Sequence, residues 1–353
     1  MKALEFNASI VYLNATEQES IAQVFTDTVY HSSQDPYRSN FNGQPVFICK
    51  KGDAIVGYAL IELNSLKRGT IWFGPVYNAE AAVEDILNEL LKACKAYGIW
   101  ALTVYPKDDA IAQVIEKLSR SKAMYLIDKQ PGLCVAIKNL ERASEDIKSN
   151  YSRGLKRNLA KAVQGNVVIE ELNDAKDFDQ LVQVFIGMYQ HKQIPIDPHD
   201  TRTQLVNEFD YVTSTKRGHA IVAKKDGKVV GGIIQLYTSK VAVYIHAASD
   251  KSCPFPVLHA AVDYGFSLCK ARGIAYYDFG SYFPATKEEQ FIGINNFKTS
   301  FGSDIVQYPP IMTYTSSWMK ALLYRALQKI ITIINALLFF KPKSTIRVSF
   351  KLS

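Results

Sequence analysis

A carboxylate, a lysine and several glycines come together late in the sequence, between Tyr276 and Gly302. The stretch begins as a short aromatic strand that carries Asp278, and Gly280 follows where this strand ends. A polar loop then leads to Lys298, which lies between two phenylalanines. A carboxylate can accept a proton, and a cation can stabilise developing negative charge. The combination predicts a group-transfer site at the end of a strand.

Each of these residues also has an alternative without chemistry. Asp278 either acts as a general base or orders Lys298, or it forms the turn ahead of Gly280. Lys298 could be a surface lysine between two core phenylalanines. Ser281 and Tyr282 follow directly at the strand end and are predicted to bind substrate.

An earlier strand pattern, VAVYIHAAS, carries Tyr244 and His246. Residues two apart on a strand share a face, so these two side chains are predicted to point the same way and to line the catalytic cleft. The alternative for His246 is a core histidine with its polar atoms satisfied.

A basic stripe is predicted on the helix Tyr151–Gln164. Four cations recur there at i, i+3, i+4 and i+8, which places them on one face: Arg153, Lys156, Arg157 and Lys161. A stripe of cations without acids suits phosphate, either of a nucleotide-linked sugar acceptor or of a tRNA backbone. A solvated helix face is the alternative.

The elements that must position these residues occur twice. KKGDAIVGYALI at Lys50 matches KKDGKVVGGIIQL at Lys224, and CKAYGIWALTVY at Cys94 matches CKARGIAYYDFG at Cys269. Two matches at nearly the same spacing indicate a tandem duplication of whole domains. Each copy reads as a helix, three strands, a helix and a strand, which predicts an α/β (α+β) fold with a mixed, mainly antiparallel sheet flanked by helices. Asn14 and Glu17 predict a capping box on the first helix.

Three regions are therefore expected: a first domain at 1–140, a second, catalytic or donor-binding domain at 141–313, and a basic C-terminal helix and tail at 314–353. The net charge of +7 comes from this last region, because seven Lys and Arg and no acid follow Asp304. A basic excess confined to one end argues against a protein whose whole surface binds nucleic acid.

The five cysteines have no metal-ligand spacing, so no metal site is expected. The N-terminal residues lack the apolar run of a signal peptide. Together these features predict a cytoplasmic protein in a reducing compartment.

A three-strand meander with K-x-G-x-x-V-G, followed by a helix ending in Gly-Ile and an aromatic strand, resembles the GNAT acyltransferase fold. The duplication, the helix SNYSRGLKRNLAKA and the terminal FKTSFG resemble the Fem-type (FemAB-like) peptidyltransferase superfamily, over roughly residues 1–313. This resemblance implies two tandem GNAT-like domains and transfer of an aminoacyl or acyl group to an amine of a cell-envelope precursor, as in peptidoglycan synthesis. Lys298 matches the lysine of F-K-x-x-F-G, which implies a place beside the donor or the developing oxyanion.

The sequence departs from the GNAT pattern at the loop that normally holds the pyrophosphate of coenzyme A. GPVYNAEAAV and ASDKSCPFPVLHAAV lack its glycines, and Pro254 and Pro256 remove N–H donors. No tightly bound cofactor is expected, and aminoacyl-tRNA is favoured as the donor. Two alternatives remain open. The chain could be an acyl-CoA-dependent N- or O-acetyltransferase that acts on a sugar, or a non-catalytic scaffold at the membrane surface.

The loop 31–41 weakly resembles the family's acceptor side, with Arg38 as a candidate phosphate clamp.

The segment Trp318–Phe340 is apolar but interrupted by five polar residues, and its uninterrupted apolar run is shorter than the ~20 residues that span a bilayer. It is predicted to be a basic amphipathic helix on the inner membrane surface, with contact through 318–343 and with Lys341 and Lys343 at its far end. Docking on the protein body or on a second subunit is the alternative, and the oligomeric state stays open.

Overall fold

A computed structural model describes residues 5–25, 28, 31–39, 43–238 and 240–339, and these form two compact units. Of the described residues, the first unit contains those up to Val24, those from 43 to Gly132 and those from Tyr308 onward. The second unit contains the described residues between Phe25 and 39 and those from Leu133 to Gln307. The charged tail from 340 onward, with Lys341 and Lys343, lies outside the described residues.

The first unit contains two sheets. Four antiparallel strands form one of them, in the order β1 (Phe6–Val11), β2 (Val46–Lys51), β3 (Ala54–Leu60) and β6 (Val76–Tyr77). Five strands form the other, in the order β4 (Glu62–Leu63), β5 (Arg68–Ile71), β7 (Ala101–Val104), β16 (Ile311–Thr315) and β8 (Tyr125–Gln130). Only the β5–β7 pair of these is parallel.

The helices of the first unit are α1 (Ala15–Val24), α2 (Val83–Tyr97), α3 (Asp109–Arg120) and α10 (Trp318–Phe339). The capping box predicted for α1 is confirmed, since the side chains of Asn14 and Glu17 each accept the other residue's backbone N–H. Asp108 caps α3 by accepting the N–H of Ile111 at 3.0 Å. Both α2 and α3 bury apolar residues at helical spacing in one core: Ile86, Leu87, Leu90, Ile111, Ile115 and Leu118.

The second unit has one seven-stranded sheet. Its order is β10 (Val168–Glu171), β11 (Gly218–Lys225), β12 (Lys228–Tyr237), β13 (Val241–Ser249), β14 (Tyr276–Ser281), β9 (Cys134–Asn139) and β15 (Asp304–Gln307). The β13–β14 pair is parallel and the other pairs are antiparallel.

Helices cover both faces of this sheet: α4 (Ser144–Ser149), α5 (Arg153–Gln164), α6 (Ala175–His191), α7 (Pro198–Thr215), α8 (Val257–Ala271) and α9 (Glu289–Ser300). One face forms an aromatic core that includes Phe266, Tyr277, Phe279 and Phe301. The other face packs against α6 and α7 through a second core. The mixed α/β architecture expected from the sequence is confirmed.

Each unit contains one strand from a part of the chain that the sequence assigned to the other domain. β16 lies between β7 and β8, and β9 lies in the same way between β14 and β15. The described part of the 31–41 loop also belongs to the second unit. These units therefore differ from the division at 140 and 313, because the sheet that a strand joins depends on long-range pairing that local patterns do not encode.

The connections before the two exchanged strands pass close to each other. A side chain at Gly132, just before β9, would place its Cβ 1.9 Å from the carbonyl oxygen of Tyr308. Glycine is therefore required at this crossing for lack of space.

Candidate active site in the second unit

The two parallel strands at the centre of the second sheet separate after a short pairing. Val241 to Val243 pair with Tyr276 to Asp278, and the pairing ends there although β13 runs on to Ser249. Asp278 therefore lies where the two strands part. Such a gap between neighbouring strands is a place where an extended ligand can bind.

The Asp278 side chain is only 1% exposed. Its carboxylate accepts the backbone N–H of Gly280 at 2.6 Å, and Gly280 adopts the left-handed conformation (φ 74°) that turns this group back. Burial raises the pKa of Asp278 to about 6, and the contacts with Gly280 and Lys298 oppose that shift. A carboxyl group that ionises near neutrality is suited to accept and release a proton.

Lys298 lies on α9 and is 7% exposed, so it is not the surface lysine of the alternative interpretation. Its Nζ donates a hydrogen bond to the carbonyl oxygen of Ser281 at 2.6 Å. Burial lowers the pKa of Lys298 to about 8, while Asp278 raises it. Asp278, with a raised pKa, and Lys298, with a lowered pKa, thus lie at the same strand end. Such shifted pKa values are typical of functional sites.

His31 is the residue of this site that the sequence did not single out. Its Nε2 lies 3.7 Å from Oδ2 of Asp278. Its Nδ1 accepts the backbone N–H of Ser33 at 3.1 Å and lies 2.9 Å from the Ser33 hydroxyl oxygen. Burial, with a smaller effect of Arg38, lowers the pKa of His31 to about 3. No local sequence pattern links a loop at residue 31 to a strand at residue 278.

The loop that carries His31 is anchored to the rest of the second unit by a buried carboxylate. Asp35 is fully buried and accepts hydrogen bonds from the Tyr211 hydroxyl at 3.0 Å and from Nε of Arg217 at 2.5 Å. Breaking a buried pair of this kind is strongly destabilising, because one charge stays buried without its partner. The anchor therefore fixes His31 beside β14.

Arg38, the candidate phosphate clamp, forms an ion pair with Glu208, with Nη2 and Oε1 3.0 Å apart. A phosphate would have to compete with this carboxylate. The Arg38 charge also contributes to the lowered pKa of His246, about 4, for which burial is the main cause. Burial, with a smaller contribution from Arg38, thus keeps His31 and His246 neutral.

The predicted shared face of Tyr244 and His246 is wrong. Tyr244 lies opposite Gln235 and His246 opposite Ile234, so Ile245 is an extra residue in a β-bulge. Because the bulge changes the alternation, the Tyr244 ring packs beside Phe279 and Phe297, whereas His246 contacts Phe185 on the opposite face. Burial raises the pKa of Tyr244, which therefore stays protonated.

Ser281 and Tyr282 hold the strand end through their backbones. The Ser281 carbonyl accepts the Lys298 hydrogen bond, and the Tyr282 N–H donates to the carbonyl oxygen of Cys134 at 2.7 Å. The Ser281 side chain is exposed and that of Tyr282 is half-buried. Both are thus available at the surface of the site, and their predicted contact with substrate stays a prediction.

The four cations of the basic stripe are exposed on α5, which Ser152 caps by accepting the N–H of Leu155. Nζ of Lys156 donates to the carbonyl oxygen of Ser149 at 3.0 Å. The helix start is joined to the end of α9 by a hydrogen bond from the Ser152 N–H to the Ser300 carbonyl at 2.9 Å. The stripe is therefore placed on a helix tied to the one that carries Lys298, and phosphate binding stays a prediction.

The start of α8, where a GNAT protein would hold pyrophosphate, uses its backbone donors internally. The N–H groups of Ser252 and Cys253 donate to the side chain and carbonyl of Asp250, and that of Val257 donates to Phe255. The N–H of His259 donates to Pro256. Few donors are left to form a phosphate cradle.

Over the residues described, no three His, Cys, Asp or Glu side chains lie close enough together to hold a metal ion.

Comparison with known proteins places this geometry in a recognised fold. No protein-family model and no curated protein matches the chain. Among solved structures, FemX is 11% identical, with 87% of this chain and 96% of FemX covered and a TM-score of 0.71.

Two further structures match over most of their length. The C-terminal domain of a putative lysylphosphatidylglycerol synthetase from Agrobacterium fabrum is 14% identical, covers 88% of this chain and 95% of its own, and has a TM-score of 0.57. A tandem GNAT protein from the clavulanic acid biosynthesis pathway is 10% identical, with 89% and 99% covered and a TM-score of 0.50. The resemblance seen in the sequence is confirmed at the level of the fold: the chain consists of two GNAT-like domains in tandem, and its fold is similar to those of FemX and of the tandem GNAT protein.

Proposed function

We propose that this chain is an acyltransferase that moves an aminoacyl or acyl group to an amine of a cell-envelope precursor, with its chemistry in the second unit. The observation that carries the proposal is the buried group of Asp278, Lys298 and His31 at the point where β13 and β14 separate. The folds of FemX and of the lysylphosphatidylglycerol synthetase domain support it.

In the proposed reaction the acceptor nitrogen attacks the donor carbonyl carbon beside Asp278. A C–N bond forms, and Asp278 takes the proton that the nitrogen loses. The Lys298 ammonium stabilises the negative charge that develops on the carbonyl oxygen. The C–O or C–S bond to the donor then breaks, and Asp278 gives the proton to the leaving oxygen or sulfur, which restores the carboxylate.

Lys298 and His31 also set the surroundings of Asp278. The His31 ring lies beside Oδ2 and supplies no second acid, because its pKa is lowered to about 3 by burial. The bond from Lys298 to Ser281 fixes the ammonium at the strand end before substrate arrives. Groups held in place in this way need no reorganisation when charge develops.

For the donor, we propose aminoacyl-tRNA in preference to acyl-CoA. The internal use of N–H groups at the start of α8 leaves little to grip a pyrophosphate, and the exposed stripe on α5 suits a chain of phosphates. Acetyl-CoA is the competing donor, and the proposed acceptor is a nucleotide-linked sugar or another envelope precursor.

Ligand-induced thermal stabilisation separates the two donors, because binding to the folded state raises the melting temperature. We expect a saturable shift with aminoacyl-tRNA that is weakened in Arg157→Gln/Lys161→Gln and kept in Lys176→Gln/Lys228→Gln, which removes two exposed lysines elsewhere in the second unit. Saturable stabilisation by micromolar acetyl-CoA, without a response to charged tRNA, would reverse the choice of donor. Absence of transfer with either donor and an amine acceptor would contradict the proposed activity.

A further inference from the structure

The C-terminal helix α10 docks on the first unit by one side. Ala321 is buried, and Tyr324 packs near Trp100 and receives a hydrogen bond from Arg68 at 3.2 Å. Nη2 of Arg325 donates to the carbonyl oxygen of Leu126 at 2.6 Å. These contacts fix the orientation of the helix about its own axis.

The opposite side of α10 is apolar and uncovered. Five large side chains there are between 51% and 63% exposed: Met319, Leu322, Leu323, Ile330 and Ile333. With 3.6 residues per turn they fall within an arc of roughly 100°, centred away from Ala321 and Tyr324. A contiguous exposed patch of large apolar side chains marks an interaction surface more often than it marks ordinary protein surface.

Lysines border this stripe on both sides. Lys320 and Lys329 are exposed, and the same helical geometry places them on opposite flanks of the stripe. No Asp or Glu follows Asp304 in the sequence, so the helix itself carries no acid that could neutralise them. An apolar stripe flanked by lysines matches the surface of an anionic membrane, where acyl chains lie below anionic headgroups. The aliphatic part of a lysine side chain can extend along an apolar surface while its ammonium group stays in water.

We propose that α10 lies flat on an anionic membrane, with its exposed stripe among the acyl chains and its flanking lysines at the headgroup phosphates. In the part of the chain that the structure describes, no helix has both the length and the apolar character needed to cross a bilayer. A second copy of the chain is a poorer occupant, because pairing two such helices would bring the lysines of both helices together without an acid on either helix. An anionic lipid surface supplies the opposite charge.

The test is cosedimentation of the full chain with phosphatidylcholine vesicles, with and without phosphatidylglycerol. We expect binding to the anionic vesicles that 0.5 M salt weakens, because salt screens exposed charges. Leu322→Glu/Ile330→Glu should weaken this binding at least about tenfold, since two large aliphatic side chains no longer enter the lipid. Val163→Glu changes another exposed apolar residue, 74% exposed on α5, and should leave binding unchanged.

Circular dichroism and melting temperature show whether each variant is folded. Equal vesicle binding by the wild type and by Leu322→Glu/Ile330→Glu would overturn the proposal, as would equal binding to neutral and anionic vesicles. A self-associated chain that fails to bind vesicles, and that Leu322→Glu/Ile330→Glu converts to monomers in sedimentation equilibrium, would assign the stripe to a second copy. None of these readouts depends on catalytic activity.

Discussion

The two units carry the same scaffold but different residues at the same strand end. The matched sequences at Cys94 and Cys269 place Thr103 of β7 where β14 has Asp278. Thr103 faces Thr313 of β16, and their hydroxyl oxygens are 2.9 Å apart. Leu118 and Lys298 occupy the same position in α3 and α9, and Leu118 is buried in an apolar core. The first unit thus has a neutral pair and a leucine where the second has a carboxylate and an ammonium.

The second unit is the one whose residues at this strand end differ from those that folding stability alone would favour. Burying a leucine and pairing two hydroxyls are favourable or neutral for folding, whereas burying Asp278 and Lys298 costs desolvation energy. The chain also continues differently after the two strands, into Pro106 in the first unit and into Gly280 in the second. A buried acid and base that folding does not require therefore support the proposal that the chemistry belongs to the second unit.

Replacement of the carboxylate should produce the largest effect on transfer. Asp278→Asn keeps the shape of the side chain but removes the base, so we expect kcat/KM to fall about 10²–10⁴-fold. Thr103→Val, the matched change in the first unit, removes the hydroxyl contact with Thr313 and should cost about 1 kcal/mol of stability without changing kcat/KM. Steady-state kinetics on both purified variants, with circular dichroism to confirm folding, make the comparison. A loss of activity in Thr103→Val equal to that in Asp278→Asn would remove the asymmetry.

Loss of the ammonium should be the next largest effect. Lys298→Met retains the length of the side chain, and we expect about a hundredfold lower kcat at nearly unchanged melting temperature, because charge stabilisation in the transition state is lost. Leu118→Met at the matched position should change kcat less than about twofold and cost less than about 1.5 kcal/mol. Full activity of Lys298→Met would exclude Lys298 from the reaction.

The smallest expected effect is on stability. The pKa of Asp278 is about 6 in the folded chain against an ordinary 3.8, so ionisation destabilises the fold as the pH rises from about 4 to about 6. Asp278→Asn removes this penalty and should raise the free energy of unfolding at pH 8 by about 1–3 kcal/mol, with little change at pH 4. Urea denaturation at both pH values measures it, with Thr103→Val as control. A variant that is less stable than the wild type at pH 8 would mean that the carboxylate supports the fold.

Much of the fold could be predicted because its signals are local. The capping box at Asn14 and the duplicated hairpins and helices depend on residues close together in sequence. Asp278 and Lys298 could also be singled out, since Gly280 marks a turn after Asp278 and two phenylalanines flank Lys298. The helix α9 that carries Lys298 was not predicted.

What the sequence missed depends on contacts between distant residues. The exchange of β9 and β16 is set by sheet pairing, and His31 reaches Asp278 only through the anchor between Asp35 and Arg217. The bulge at Ile245 places the His246 side chain on the face of the sheet opposite to the predicted one. The alternation of side chains along a strand does not show where a single extra residue is inserted.

The pH dependence of the ratio of kcat/KM between wild type and Asp278→Asn tests most directly whether Asp278 is the base. Taking the ratio cancels the ionisation of the acceptor amine. Because Asp278 raises the pKa of Lys298, the ratio is compared below about pH 7, where ionisation of the Asp278 carboxyl dominates its change. We expect the ratio to rise about tenfold per pH unit below pH 6 and to become level above it, following the raised pKa of about 6. A ratio that does not change with pH would contradict the assignment of proton transfer to Asp278.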